Sequence, residues 1–167
     1  EKELEKDIEK SLRLIYCNSD AFGMKKMIDL ALKNNLNEKD KKSLFLEGMN
    51  EPKDLPSWLS NKDLKYFTKE FEKSGMFGPL NRYRCMDLDW KDLFKMSFDK
   101  IKKPSCFITG SLDPVNFFIP GVNLFDSVGG NYEDLRVKEQ LNDIGHWTQQ
   151  EAPDQVNKIL LDFLEKI

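Results

Sequence analysis

The chain has 167 residues, 40% of them hydrophobic and 12 of them Phe, which suits one globular domain with a real core and excludes a disordered chain. Lys and Arg number 26 against 29 Asp and Glu, a net charge of −3, and with no basic cluster this argues against a nucleic-acid binder. No run approaches the roughly 18 apolar residues of a membrane span, and EKELEKDIEK lacks the apolar core of a signal peptide.

Leu4, Ile8, Leu12 and Ile15 share one face of a predicted helix over 3–16, which Asn18, Ser19, Asp20 and Gly23 then break. Residues 24–36 carry Met24, Met27, Ile28, Ala31 and Leu32 at helical spacing and read as a helix or an ordered loop, with the two methionines as packing residues. Residues 37–42 are polar and read as surface. Ser60 opens a convincing helix as an N-cap, with Asp63 three residues on in a capping-box position. Leu64, Phe67 and Phe71 form its buried stripe, and Gly75 stops it. Gly78-Pro79 restarts the chain into a short helix over 80–86, and 87–103 is mixed in character.

At Pro104 the texture changes. Residues 105–109 form a short apolar run between Pro104 and Gly110, a buried strand signal. Residues 135–141 alternate as a second strand. From Pro153 a helix runs to the end on Val156, Ile159, Leu160, Phe163, Leu164 and Ile167. Residues 1–100 are thus helical and loop-rich, and 101–167 alternate β and α as a parallel sheet does, giving an α/β class. Two strands do not make a stable parallel sheet alone, and the chain opens at Glu1 inside a helical pattern, so a fragment of a longer protein is expected.

Few residues are left to carry chemistry. Cys17, Cys85 and Cys106 are odd in number and far apart, so no disulfide framework can be drawn and a reducing, cytoplasmic setting is the simplest expectation. The one histidine, His146, excludes a multi-histidine zinc site; no metal and no cofactor is expected. Asp113 follows the strand-ending Gly110 by three residues, where open α/β sheets collect functional groups. Taken alone it reads equally as a cap or turn former before Pro114. A lone histidine is more often structural than catalytic. His146, however, also heads a loop after a strand, between Gly145, which allows close backbone approach, and Trp147, which can wall off water. Adjacent parallel strands would bring Asp113 and His146 together as the orienting pair of a nucleophile–His–acid triad.

The segment GHWTQQEAPDQVNKILLDFL resembles the C-terminus of the α/β-hydrolase-type epoxide hydrolases, matching their pattern at Gly145, His146, Trp147, Gln149, Glu151, Pro153, Val156 and Asn157. FITGSLDPV resembles their acid-bearing strand and loop. Leu80-Asn81-Arg82-Tyr83-Arg84 resembles their cap marker L-N-W-Y-R, with Arg82 where Trp is usual. That change alters the pocket wall and leaves the tyrosine. The likeness covers the chain beyond about residue 44, and the first 40 residues have the length and character of the early cap.

The resemblance implies a partial α/β-hydrolase fold, with 1–100 the helical cap and 101–167 the last two parallel strands and helices of the core sheet. It implies hydrolysis of a small lipophilic epoxide by water to a vicinal diol, and it leaves room for a homodimer. In that scheme a carboxylate nucleophile forms a covalent ester, Tyr83 donates to the epoxide oxygen, and His146, oriented by Asp113, activates water against the ester. Trp147 would line the pocket. The sequence contains no G-x-(D/S)-x-G elbow and no H-G-x-P segment, and none of Tyr16, Tyr66 or Tyr132 matches the second cap tyrosine. These parts lie upstream in the family, so the chain alone is expected to be inactive. Two other readings stay open: a haloalkane dehalogenase or serine esterase of the same fold, which has no need of Tyr83, and a non-catalytic binding protein derived from a hydrolase.

Overall fold

The computed structural model describes residues 1–34, 45–95, 99–119 and 121–167. The polar stretch expected at 37–42 and the end of the helix expected at 24–36 lie outside them. Two compact units divide the chain: Glu1–Ile15 with Lys41–Asp99, and Tyr16–Asp40 with Lys100–Ile167. The first resides in the helical half; the second joins the β/α half to the segment that starts at Tyr16.

In the first unit the expected helix over 3–16 is two pieces. A 3-10 turn, Leu4–Lys6, ends at Asp7, whose backbone is extended. Asp7 then caps α1 (Ile8–Ser19), its Oδ1 accepting from the Lys10 N–H at 2.9 Å. A short carboxylate satisfies the orphan donors of a helix start, so it splits one apolar face into two elements. Leu4, Leu12 and Leu14 are buried here, and the buried Ser11 donates its hydroxyl to the Leu4 carbonyl.

Helix α3 (Asn61–Ser74) follows, after α2 (Ala21–Asn34) of the other unit. It opens as the sequence predicts: Ser60 accepts from the Asp63 N–H, and Asp63 accepts from the Ser60 N–H, completing the capping box. Leu64 and Thr68 are buried, while Phe67 and Phe71 are only half-buried. Gly75 ends the helix at φ +69°, a conformation that favours glycine. Helix α4 (Phe77–Arg84) begins before Gly78-Pro79 and holds both in its first turn. Helix α5 (Met86–Lys95) occupies part of the stretch that reads as mixed. Met86, Leu88 and Trp90 alternate like a strand, which hides the helical spacing of Met86, Trp90 and Phe94. The last two stack at 5.4 Å between centroids.

In the second unit Gly23 does not break a helix. It lies in the first turn of α2, and Asp20 caps that turn by accepting from the Gly23 N–H at 2.8 Å. A Cβ there would fall 2.2 Å from the Cys17 carbonyl oxygen, so glycine is needed for α2 to turn back against the end of α1. Met24 is half-buried, but Met27 is exposed, against the packing role expected of both.

Strand β1 (Ser105–Gly110) and β2 (Leu135–Leu141) pair in parallel, as the alternation predicts. The register slips by one residue after Ser105, so Arg136 is left as the extra residue of a bulge. The crossover between them holds a 3-10 turn (Pro114–Phe117), α6 (Leu124–Ser127) and a second 3-10 turn (Val128–Asn131). After β2 come α7 (Thr148–Glu151) and α8 (Pro153–Leu164). Leu141, Ala152 and Val156 form a buried cluster against Ile108, Ile144 and Ile159. Phe163 is buried as well, but Leu160, Leu164 and Ile167, expected in the same stripe, are exposed. Two strands about 4.8 Å apart present less width than a helix about 10 Å across, so only the inner edge of the stripe is covered. No helix among the described residues is long and apolar enough to cross a membrane.

Candidate active site

The loops that follow β1 and β2 are tied together at the strand ends. Ser111 N–H donates to the Leu141 carbonyl and Leu112 N–H to the Ile144 carbonyl, both at 2.9 Å. The Asp143 N–H donates to the Ser111 hydroxyl at 2.9 Å, with Asp143 in the left-handed region at φ +59°. Gly110 makes the approach feasible. A Cβ there would sit 2.2 Å from the Ile144 carbonyl oxygen and 2.4 Å from that of Gly145.

Asp113 stands just beyond Gly110, at the start of the 3-10 turn. Its Oδ1 accepts from the Val115 N–H at 2.9 Å, which is the capping role. The same oxygen lies 2.9 Å from His146 Nδ1, which is the pairing role. One carboxylate oxygen therefore makes the capping contact and the His146 contact together. Thr109 Oγ1 donates to Oδ2 at the long distance of 3.5 Å. The buried Asn116 amide braces the turn through the Gly110 carbonyl at 2.9 Å.

The carboxylate side chain is 14% exposed and the imidazole 39%. Nδ1–H donation to Asp113 fixes the tautomer and leaves Nε2 as the basic nitrogen. The hydrogen bond to Asp113 holds the His146 pKa above its ordinary value, against burial, with the charges of Asp113 and Glu151 adding to it. Burial pushes Asp113 up, but hydrogen bonds from His146 and the Val115 N–H and the charge of His146 prevail and hold it below the usual carboxylate range.

The histidine loop is anchored by backbone and side chain alike. His146 N–H donates to the Ser19 carbonyl at 3.0 Å. Trp147 Nε1–H donates to the Tyr16 carbonyl at 2.9 Å, and its ring meets the Tyr16 ring edge-on at 4.7 Å. The Trp147 ring also lies edge-on to the imidazole at 4.9 Å, which shields one side of it. Glu151 accepts three backbone N–H groups, from Ala21 at 2.9 Å and from Gly145 and Trp147 at 3.0 Å.

Asp113, His146 and Trp147 are thus brought together in one unit. Tyr83 belongs to the other, on α4, and is 69% exposed. Its neighbour Arg82 pairs with Asp89 at 2.6 Å and Arg84 pairs with Glu1, so both arginines hold surface partners. Sequence reasoning noted Glu151 only as a pattern match and left Tyr16 without a role. No disulfide joins Cys17, Cys85 and Cys106 to one another, and burial raises the Cys106 pKa first, with Glu139 adding to it. Among the described residues no group of three or more His, Cys, Asp or Glu is arranged to hold a metal.

A carboxylate–imidazole pair at adjacent strand ends can take a proton from water and stabilise the imidazolium that results. No protein-family model matches the chain. Among curated proteins it is 37% identical over 113 residues to epoxide hydrolase B of Mycobacterium tuberculosis, covering 68% of this chain and 31% of that protein. It is 37% identical over 118 residues to epoxide hydrolase 1 of Siraitia grosvenorii, covering 69% of this chain and 37% of that protein. The crystal structure of epoxide hydrolase A from Mycobacterium thermoresistibile superposes with a TM-score of 0.80 at 30% identity, over 98% of this chain and 47% of that one. The chain thus spans about a third of the length of these curated relatives. In sequence and in fold, the chain matches a part of the epoxide hydrolases and carries a part of their α/β-hydrolase fold.

Proposed function

We propose that the protein carrying this chain is an epoxide hydrolase that forms vicinal diols through a covalent ester, and that Asp113 and His146 serve its second step. The carrying observation is the 2.9 Å contact between His146 Nδ1 and Asp113 Oδ1 at the ends of two parallel strands. In the first step a carboxylate of the intact protein attacks an epoxide carbon. The carbon–oxygen bond breaks, and the ring oxygen takes a proton from the Tyr83 phenol. A phenol is more acidic than the alkoxide it protonates, so the transfer runs downhill.

In the second step His146 Nε2 takes a proton from water, and the resulting hydroxide attacks the ester carbonyl. The tetrahedral intermediate collapses, the imidazolium protonates the leaving alkoxide, and the diol departs. The freed carboxylic acid ionises, and solvent restores the tyrosine proton. The raised His146 pKa and the lowered Asp113 pKa both favour the ion pair formed in this step. Trp147 covers one side of the imidazole, and an apolar pocket would favour a lipophilic substrate. No elbow motif for the nucleophile occurs in these 167 residues, so the isolated chain is expected to be inert toward epoxides.

The test is turnover of styrene oxide and trans-stilbene oxide by the intact protein, with the diol separated by chromatography. Diol formation that disappears in Asp113→Ala and His146→Ala supports the reading. Absence of diol from wild type with both probes, or full turnover by either variant, overturns it.

A further inference from the structure

We propose that Glu151 is a positioning residue for the catalytic base, holding the His146 loop on the start of α2. This rests on the role given to His146 above. The argument is geometric. His146 lies between two residues, Gly145 and Trp147, whose backbone N–H groups both donate to the Glu151 carboxylate. The oxygen that takes the Gly145 N–H, Oε2, also takes the N–H of Ala21, at 2.9 Å. One side chain therefore joins the residues before and after the base to the first residue of α2. The loop has a second seam to the same place, the His146 N–H on the Ser19 carbonyl.

Glu151 closes α7, a four-residue turn, and the backbone of Ala152 that follows leaves the helical region, at φ −135° and ψ 55°. The carboxylate reaches back over its own turn because three donors point at it. Charge-assisted hydrogen bonds of this kind are the stronger class. Without them the loop would keep the Asp113 contact and the Ser19 bond but lose the brackets on either side of the imidazole. Glu151 makes no hydrogen bond to the imidazole; beside the charge it adds near His146, its hold on the base is through the backbone. Water activation needs Nε2 aimed at one point, and a misplacement of about 1 Å can cost roughly 100-fold in rate. Ester formation uses a different group and does not need the base.

Glutamine grades the effect. In Glu151→Gln the amide oxygen can keep the Ala21 and Gly145 donors, while the amide nitrogen faces the Trp147 N–H with no lone pair to offer. Alanine loses all three bonds.

The experiment is single-turnover kinetics of the intact protein with trans-stilbene oxide, resolving ester formation from ester hydrolysis. It is paired with the imidazole resonances of His146, assigned by their loss in His146→Ala. The expected result is hydrolysis slowed roughly 100-fold in Glu151→Ala, ester formation near its wild-type rate, and an Nδ1–H resonance shifted from its wild-type position. Glu151→Gln should fall between. Unchanged hydrolysis with an unmoved resonance overturns the proposal. So does equal loss of both steps with glutamine no better than alanine, since that marks general destabilisation. If wild type forms no ester, the reading of function fails instead, and the resonances alone decide whether Glu151 places His146.

Discussion

Replacing Gly145 by alanine is the sharpest probe of how the histidine loop is held. A Cβ at Gly145 would meet the backbone nitrogen of Ala21 at 2.4 Å and the Asp20 carbonyl carbon at 2.5 Å, where ordinary contact begins at 3.4 Å. Both neighbours are backbone and cannot rotate aside, so the loop and the α1–α2 turn must part by about 1 Å. Parting them strains the Gly145 and Ala21 bonds to Glu151 and the His146 bond to Ser19. Overpacking costs about 1–3 kcal/mol, and a weakened hydrogen bond adds about 1 kcal/mol. A loss of about 2–4 kcal/mol is therefore expected, together with roughly 100-fold slower ester hydrolysis. The assay is urea unfolding of the intact protein with the slope checked for constancy, followed by single-turnover kinetics. Gly129→Ala is the control, because nothing lies within 4 Å of its Cβ position, and it should stay within about 0.5 kcal/mol of wild type. If Gly145→Ala matches the control in stability and rate, the close approach of loop and turn does not exist as described.

Asp113→Asn removes the charge and keeps the shape. The His146 pKa should fall from its raised position toward the ordinary value of about 6.5, and the acid limb of hydrolysis should move to lower pH as its height drops. A limb that stays put would contradict the pairing. The same pair makes stability depend on pH with two signs. The raised His146 contributes fully below about 6.5 and loses its contribution as pH rises through its folded pKa. The lowered Asp113 contributes above about 3.9 and loses it as pH falls through its folded pKa. Urea midpoints of wild type minus Asp113→Asn across pH should thus peak between the two, and a flat difference would refute this. Tyr83→Phe should slow ester formation by roughly 100-fold or more and leave ester hydrolysis alone; unchanged ester formation would favour a dehalogenase or esterase. Trp147→Phe should cost about 1 kcal/mol through the lost Nε1–H bond to the Tyr16 carbonyl, read by thermal unfolding.

Much of the site was legible because it depends on local chemistry. Proline and glycine bounded β1, alternation marked β2, and Gly145 announced a close approach that its missing Cβ confirms. Asp113 and His146 followed from equivalent strand ends, since parallel neighbours align their carboxyl termini. Less legible were features that need the third dimension. Gly23 resembled a helix breaker, yet the glycine serves the tight return of α2 on α1. Glu151 was only a match to the family pattern until three N–H groups converged on it. Leu160 and Leu164 shared the periodicity of Val156 and Phe163, yet the first two are exposed and the last two buried. The grouping of Tyr16 onward with the β/α half also had no local signal, because the contacts of Tyr16 and Ser19 reach residues well over 100 positions away.

The most direct measurement is intact-protein mass spectrometry of the His146→Ala variant after mixing with trans-stilbene oxide. Ester formation does not require the imidazole, and ester hydrolysis does. A stable adduct heavier than the protein by the mass of the epoxide, with no diol released, is the predicted result. Wild-type diol release from the variant, or no adduct on it under conditions where wild type turns over, would contradict the role given to Asp113 and His146.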